Sequence, residues 1–208
     1  MSSANIRGSK PVIGVTGAIG SGKSTVASCF AKWGAMAISG DEIGHAVLSD
    51  SRPVRSQLIR AFGSDIVVDG SIDRTQLAHR AFARPSNVLK LNRIVHPALI
   101  RRINQEVRTG SRRPSVCAVV IDAALLVEWG MGKIHWDYLV GVEAPYDLRI
   151  SRLRARGMTI SQIRRFSAAQ MPWQKKRGHC DFIVKNDASL TILQRRTRLC
   201  WDKMLSCD

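Results

Sequence analysis

A glycine-rich stretch near the N-terminus, residues 17–24, constrains the fold of this chain more than any other feature of its sequence. It reads Gly-Ala-Ile-Gly-Ser-Gly-Lys-Ser and satisfies the pattern G-x-x-x-x-G-K-[ST]. Strand-compatible residues lead into it from Pro11, and residues 25–33 have the composition of a helix. A loop of this pattern between a strand and a helix is typical of a phosphate-binding loop, or P-loop. The structural alternative is a glycine-rich turn that only packs a helix on a strand.

The spacing of the glycines has a physical reason. Glycines let the backbone curl closely enough to aim several N–H groups at one anion, and the following helix adds its N-terminal dipole. In such a site Lys23 lies against the β- and γ-phosphates, and the Ser24 hydroxyl is an oxygen ligand of the kind that Mg²⁺ prefers. We therefore expect a nucleoside triphosphate to be bound by Gly17, Ala18, Ile19, Gly20, Ser21, Gly22, Lys23, Ser24 and Thr25.

Length and composition favour a folded protein. The 208 residues suit one compact domain with an insertion, or two small lobes, and 45% of them are hydrophobic, which excludes a disordered chain. The longest apolar run, residues 116–129, is interrupted by Asp122 and Glu128 and is too short to span a bilayer. Residues 1–10 lack a hydrophobic segment, so we expect a flexible extension there and neither a signal peptide nor a membrane anchor. The five cysteines form no C-x-x-C pair, which favours reduced thiols and a cytoplasmic location.

The chain is strongly basic, with a formal net charge of +16. Such a balance is compatible with nucleic acid, with polyanionic small substrates, or with a general preference for arginine. The distribution of the charge is informative, because residues 149–177 contain nine basic residues and no acidic ones. These are Arg149, Arg152, Arg154, Arg156, Arg164, Arg165, Lys175, Lys176 and Arg177. We interpret this basic segment as a local field that faces phosphates.

The order of strand-like and helix-like segments indicates an α/β protein with one nucleotide-binding core. Besides the strand before the P-loop, residues 35–38, 116–121, 138–142 and 180–185 are strand candidates. With the strand before the P-loop counted as the first, Asp41 follows the second candidate, residues 35–38, and Asp122 follows the third, residues 116–121. Both lie at the edge where ligands bind in open parallel sheets. The predicted sheet therefore carries carboxylates beside the P-loop.

The second and third strand candidates are separated by residues 42–107, which have mainly helical patterns. Residues 71–73 read as the entry to a helix, and His96-Pro97 is expected to break or kink another. A helical insertion after the second strand of a kinase is the natural place to hold the acceptor. A GTPase would carry the base-recognition motif N-K-x-D, which is absent, and a nucleic-acid motor would need a longer chain. A small-molecule kinase with an Arg-rich lid fits best.

Several further motifs resemble those of the dephospho-CoA kinase family, and they occur along the chain in the same order as in the family. They are residues 15–26, 38–43, 69–74, 96–97, 124–128, 152–156, 168–171 and 181–186. The sequence departs from the family pattern at Ala18, where a second glycine is common, and at Ser39, which leaves Asp41 as the only carboxylate of a usual pair. Ala124 replaces a frequent proline, and Lys185 precedes Asn186 where an aspartate is usual.

The resemblance implies an α/β P-loop kinase with a three-layer αβα core and a five-stranded parallel sheet. We expect a single domain over residues 11–208, with the core in residues 11–41 and 114–208. A helical acceptor lobe would occupy about residues 42–110, and an Arg-rich lid about residues 150–178. The implied reaction moves the γ-phosphoryl of ATP to the ribose 3′-hydroxyl of dephospho-CoA, with Mg²⁺ as the metal.

The family's functional positions fall on named residues of this chain. Asp41 is the expected general base, and its alternative is a helix N-cap before Glu42. Lys23, Arg152 and Arg156 would neutralise charge on the phosphates, although the arginines could instead lie on a solvated helix face. Arg74 is a candidate contact of the acceptor, or forms a salt bridge with Asp73 or another carboxylate of the lobe. His96 either hydrogen-bonds the acceptor or fixes the shape of the lobe, and Asp122 either holds Mg²⁺ or acts as a structural cap. Asn186 is expected near the adenine.

Two other functions remain open at this point. Another nucleoside or nucleoside-monophosphate kinase would differ in its acceptor. A nucleic-acid-binding ATPase would use the basic segment, but aromatic residues are few there and no nucleic-acid module is recognisable. We therefore expect ATP and dephospho-CoA as the partners, without specific nucleic acid or membrane binding. The sequence leaves the oligomeric state undecided.

Overall fold

A parallel β-sheet carries the P-loop in the computed structural model, which describes residues 10–206. Its strands are β1 (Val12–Gly17), β2 (Ala35–Ser39), β5 (Ala118–Asp122), β6 (Tyr138–Glu143) and β7 (Phe182–Lys185). They lie in the order β2-β5-β1-β6-β7, and every neighbouring pair is parallel. Two short strands, β3 (Val67–Val68) and β4 (Ser71–Ile72), form a separate antiparallel hairpin. The predicted α/β fold with a five-stranded parallel sheet is confirmed.

The helices connect these strands. They are α1 (Lys23–Lys32), α2 (Gly40–Asp50), α3 (Arg52–Phe62), α4 (Arg74–Ala81), α5 (Pro85–Ser111), α6 (Leu126–Gly130), α7 (Tyr146–Ala155), α8 (Ile160–Ala168), α9 (Trp173–Arg177) and α10 (Leu190–Leu205). The chain divides into two compact units, one of residues 10–39 and 106–206 and the other of residues 40–105. Of the extension expected at residues 1–10, all but Lys10 lies outside the described residues, and so does Cys207. In residues 10–206, no helix combines the length and the apolar character needed to cross a membrane.

The sheet is covered on both faces. All six residues of β1 are buried, as expected for a central strand of a parallel sheet. Ile13 and Val15 join a core cluster with α1 and α10 on one face. On the other face, a Cβ atom added to Gly14 would lie 2.7 Å from a methyl group of Leu126 on α6. This alternation produces the three-layer αβα arrangement.

Carboxylates fix the start of two strands, opposite the end that carries the P-loop. The backbone N–H of Val12 donates to Asp137 at 2.7 Å, and that of Leu139 donates to Asp181 at 2.7 Å. Strand β5 begins at Ala118, two residues later than the apolar run suggests. The reason is that Val116 N–H bonds instead to the carbonyl of Arg113, which closes a turn.

Aromatic packing fixes the helix that follows the P-loop. Phe30 on α1 is fully buried and stacks on Trp201 of α10, with ring centroids 5.1 Å apart. Trp33 lies 6.0 Å from the same indole, and the Arg198 guanidinium lies over the Trp33 ring. Aromatic pairs of this kind add to the burial of their apolar area. These contacts fix the C-terminal end of α1 against α10 and so fix the direction of the helix that begins at the P-loop.

Residues 40–105 form the helical unit, whose core contains Val54, Leu58 and Phe62 of α3. Of the break or kink expected at His96-Pro97, the break is wrong, because α5 runs as one helix from Pro85 to Ser111, and the kink stays a prediction. Pro97 lies on an exposed face, so the carbonyl of Arg93 that loses its helical partner can bond to water. The apolar residues around Pro97 pack on the helical core and keep the helix continuous.

Helix α4 begins at Arg74. Residues 71–73, which were expected to form its entry, are divided between a strand and the helix cap. Ser71 and Ile72 belong to β4, while Asp73 is the N-cap. The Asp73 carboxylate accepts hydrogen bonds from the N–H groups of Thr75 at 2.8 Å and Gln76 at 3.2 Å. The bond from Gln76 is the largest of the causes that lower the pKa of Asp73. The capping carboxylate thus stabilises the start of α4 in its charged form.

We expect Asp73→Ala to lower the thermal unfolding midpoint by a few degrees at neutral pH, because α4 loses its cap. The cap contributes fully above the ordinary Asp pKa of about 3.9 and is lost as the pH falls through the lower folded-state value. The difference in unfolding midpoint between Asp73→Ala and wild type should therefore stay constant from pH 7 to about 5 and shrink below about pH 4. Asp50→Ala removes the same charge from the same unit without removing a cap. An equal loss in both variants would contradict the capping role.

Candidate functional site

The P-loop connects the end of β1 to the start of α1, and its glycines are required by close contacts. A Cβ atom on Gly17 would lie 2.5 Å from the carbonyl oxygen of Val142, and one on Gly22 would lie 2.2 Å from Nδ2 of Asn186. Gly22 also has a φ of 97° and is the N-cap of α1. Ala18 has a negative φ, since Asp69 is the only described non-glycine residue with a positive one. Alanine therefore replaces the family's usual glycine there without backbone strain.

Backbone N–H groups of the loop are available to an anion. The N–H of Ile19 donates to the Gln170 side chain and that of Ser21 to the carbonyl of Ala18. Within residues 10–206, the N–H groups of Gly20, Gly22 and Ser24 have no hydrogen-bond acceptor. Helix α1 has no side-chain cap and no acidic residue in its first turn. Its positive N-terminal end can therefore act on a bound phosphate.

Asn186 supports the loop from the sheet side. Only 6% of this residue is exposed, and its Nδ2 donates to the carbonyl of Ser21 at 2.8 Å. Its own N–H donates to the carbonyl of Glu143 at 2.7 Å, which connects it to β6. The structure thus places Asn186 against the P-loop. The predicted contact with the adenine stays a prediction.

Arg152 of α7 contacts Asn186, the residue that bonds to the loop. Arg152 Nη2 lies 3.2 Å from Oδ1 and 3.3 Å from the carbonyl oxygen of Asn186. Its Nη1 is buried and has no hydrogen-bond acceptor within residues 10–206. A buried guanidinium nitrogen without an acceptor is costly, and a phosphate oxygen would satisfy it. Arg156, one turn further along, is exposed.

Arg149 is a residue that sequence reasoning did not single out within the basic segment. Its Nη1 donates to the carbonyl of Ile19 at 3.4 Å. Burial lowers the pKa of its guanidinium, while the nearby Tyr146 opposes the shift. Arg149 and Arg152 are three residues apart and therefore lie on one face of α7. Nothing in the sequence indicated that Arg149 contacts the P-loop.

The sheet register places Asp122 close to the start of the loop. Asp122 ends β5 and is paired with Val15 of β1 and Ser39 of β2. It is half-buried and lies at the carboxyl edge of the sheet. Ser24 is exposed at the beginning of α1. Both oxygen donors thus belong to elements that meet at the P-loop end of the sheet.

The other predicted residues belong to the helical unit. Asp41 is exposed and is the second residue of α2, so it lies in the first turn and not at the N-cap considered from the sequence. Arg74 is exposed at the first position of α4, and the carboxylate of Asp73 caps that helix. His96 is half-buried on α5. The structure brings Asp41, Arg74 and His96 into one unit.

A P-loop between the first strand and first helix of a five-stranded parallel sheet, with a later helix presenting arginines to the loop, defines the class of P-loop kinases. The family model for dephospho-CoA kinases matches residues 11–191. This chain belongs to the dephospho-CoA kinase family.

Similar proteins align over nearly the whole chain. A dephospho-CoA kinase of Corynebacterium diphtheriae is 34% identical over 92% of this chain and 96% of its own length. One of Streptomyces avermitilis is 36% identical over 91% of each sequence. A crystal structure of a Thermus thermophilus protein is 30% identical and superimposes with a TM-score of 0.75, covering 94% of this chain and 98% of that one. The resemblance found in the sequence motifs is confirmed.

Proposed function

We infer that this chain is a dephospho-CoA kinase, which transfers the γ-phosphoryl group of ATP to the ribose 3′-hydroxyl of dephospho-CoA and gives CoA and ADP. This reaction is the last step of coenzyme A biosynthesis. The observation that carries the inference is the family match over residues 11–191, which includes the P-loop. Phosphoryl transfer requires in-line positioning and charge stabilisation, and the site supplies groups for both.

We assign the binding of the ATP phosphates to the P-loop. The N–H groups of Gly20, Gly22 and Ser24, together with the dipole of α1, stabilise the negative charge. Lys23 adds a positive charge beside the β- and γ-phosphates. Arg152 presents a buried Nη1 for a phosphate oxygen, and the exposed Arg156 joins it as the nucleotide is enclosed.

Mg²⁺ is part of the proposal, and the donor set fits it. The Ser24 hydroxyl would hold the ion directly and the Asp122 carboxylate through a water molecule, since Mg²⁺ prefers oxygen ligands and keeps several waters. Within residues 10–206 there is no cluster of three or more acidic, histidine or cysteine side chains that could hold a metal. Two protein donors plus substrate phosphates are enough for this ion. When bound, Mg²⁺ neutralises charge on the transferred phosphoryl group.

The acceptor is assigned to the helical unit. Asp41 accepts the proton of the 3′-hydroxyl or orients that hydroxyl for attack, because an exposed carboxylate in the first turn of α2 is able to reach a substrate. Arg74 offers a guanidinium to a phosphate of the acceptor, and His96 offers a hydrogen bond to it. A cytoplasmic location completes the proposal. The described cysteines are all free thiols, as in a reducing compartment.

An acceptor assay tests the reaction. We expect dephospho-CoA to increase ADP formation at least about 100-fold over ATP alone, because water is a poorly positioned acceptor. CoA is the matched control, since its 3′-hydroxyl already carries a phosphate. Adenosine and AMP test the related nucleoside and nucleoside-monophosphate kinases, and Lys23→Ala tests whether the turnover belongs to this P-loop. Equal ADP formation with dephospho-CoA and with CoA would exclude the proposed reaction.

A further inference from the structure

Lys176 on α9 is buried, with 1% of its side chain exposed, although it belongs to the basic segment 149–177. Its Nζ lies 2.6 Å from Oε1 of Glu128 and donates to the carbonyl of Ala124 at 2.7 Å. A buried ammonium group is tolerated only when it is paired and hydrogen-bonded. The structure therefore commits the charge of Lys176 to an internal ion pair instead of a phosphate.

Glu128 connects this ion pair to the backbone before α9. Its Oε1 also accepts a hydrogen bond from the N–H of Met171 at 2.8 Å. Its Oε2 is buried and has no hydrogen-bond donor within residues 10–206. One carboxylate thus holds both Lys176 and Met171, which fixes residues 171–176 against α6 and the segment before it.

Gln170 lies next to Met171 in the chain and reaches the P-loop. Its Oε1 accepts a hydrogen bond from the N–H of Ile19 at 3.1 Å. Arg149 donates to the carbonyl of the same residue at 3.4 Å. Ile19 is therefore held on its N–H side by Gln170 and on its carbonyl side by α7.

We propose that Gln170 is a positioning residue for the P-loop and that the Glu128–Lys176 ion pair is its anchor. The pair fixes Met171, and Gln170 then holds Ile19 so that the loop keeps the shape that binds ATP. The proposal rests on the proposed function only in that the loop binds a nucleoside triphosphate. It does not depend on which molecule accepts the phosphoryl group.

The chemistry of the side chain at position 170 follows from this role. The N–H of Ile19 needs an acceptor, and a carboxamide oxygen provides one without adding negative charge. A glutamate of the same shape would accept the same hydrogen bond, but it would place a negative charge beside the loop that holds a triphosphate. Gln170→Glu therefore separates the geometry of position 170 from its charge.

The experiment is calorimetric titration of the full-length protein with MgATP in the absence of an acceptor. We expect Gln170→Glu to raise the Kd at least about tenfold through repulsion of the phosphates, and Gln170→Ala to raise it about threefold through loss of the hydrogen bond. Thermal unfolding of both variants should stay close to wild type. Wild-type affinity in Gln170→Ala, which removes the hydrogen bond to Ile19, would overturn the proposal.

Gln162 provides the matched control. It is an exposed glutamine of the same basic segment, and it forms the capping box of α8 with Thr159. Gln162→Glu makes the same change of charge at a position where glutamate is equally suited to the cap. We expect the Kd for MgATP to stay within about twofold of wild type. An increase equal to that of Gln170→Glu would show a general charge effect and overturn the proposal.

The anchor is tested by combining variants. Glu128→Leu together with Lys176→Met removes both charges, so that no unpaired ion remains buried. We expect this pair of substitutions to raise the Kd for MgATP about as much as Gln170→Ala, and to add nothing further in a Gln170→Ala background. Unchanged affinity, or an effect that adds fully to Gln170→Ala, would overturn the anchoring role. If the paired variant does not fold, the substitutions at position 170 still decide whether Gln170 positions the loop.

Discussion

Replacing Asp41 by asparagine is expected to lower kcat of the dephospho-CoA reaction by about 100-fold to 10,000-fold. The carboxamide keeps the size of the side chain but cannot take a proton from the 3′-hydroxyl. The KM for ATP should change by less than about threefold, because the P-loop residues belong to a different unit of the chain. Steady-state kinetics with each substrate varied in turn measures both values.

Glu42→Gln is the matched control for this prediction. Glu42 is the neighbouring carboxylate in the first turn of α2, so the substitution removes the same charge from the same part of the helix dipole. We expect its kcat to remain within about threefold of wild type. Equal losses in the two variants would assign the effect to helix stability or to the overall field, and Asp41 would then lose its proposed role as the base.

The features predicted correctly from sequence are those that depend on neighbouring residues. The P-loop could be predicted because its glycines, lysine and serine occur within eight residues and follow a buried strand. The strands of the sheet were visible as short, mainly apolar runs for the same reason. Pro97 was misleading because a local rule about proline was outweighed by the packing of α5 on the helical core.

Contacts between distant parts of the chain could not be predicted in this way. Gln170 meets Ile19 across 151 positions, and Lys176 donates to Ala124 across 52. Lys176 looked like an ordinary member of the basic segment, and Gln170 was included only in the family motif of residues 168–171, with no role assigned to it. Asn186 could be connected with the nucleotide site only through the family motif, and the motif did not indicate its hydrogen bond to Ser21. Burial, which separates Lys176 from the exposed cations around it, is not visible in a local pattern.

The Gly22→Ala variant combines two costs at the centre of the P-loop. A side chain at a φ of 97° is strained by about 1–2 kcal/mol. The new Cβ atom would also lie 2.2 Å from Nδ2 of Asn186, so the hydrogen bond from Asn186 to Ser21 must break or the loop must move. We expect the free energy of unfolding to fall by about 2–4 kcal/mol. A misplaced loop should lower kcat/KM for ATP at least about 100-fold.

Gly132→Ala separates backbone strain from crowding. Gly132 has a φ of 69° in the same unit of the chain, but a Cβ atom there meets no atom within 4 Å. We expect it to lose about 1–2 kcal/mol of stability and to keep wild-type kcat/KM. Removing the Asn186 side chain relieves the contact with the new Cβ atom of Gly22→Ala. Asn186→Ala should therefore cost less activity in the Gly22→Ala background than in wild type. If Gly132→Ala and Gly22→Ala were equally active, contact with Asn186 would not be what requires glycine at position 22.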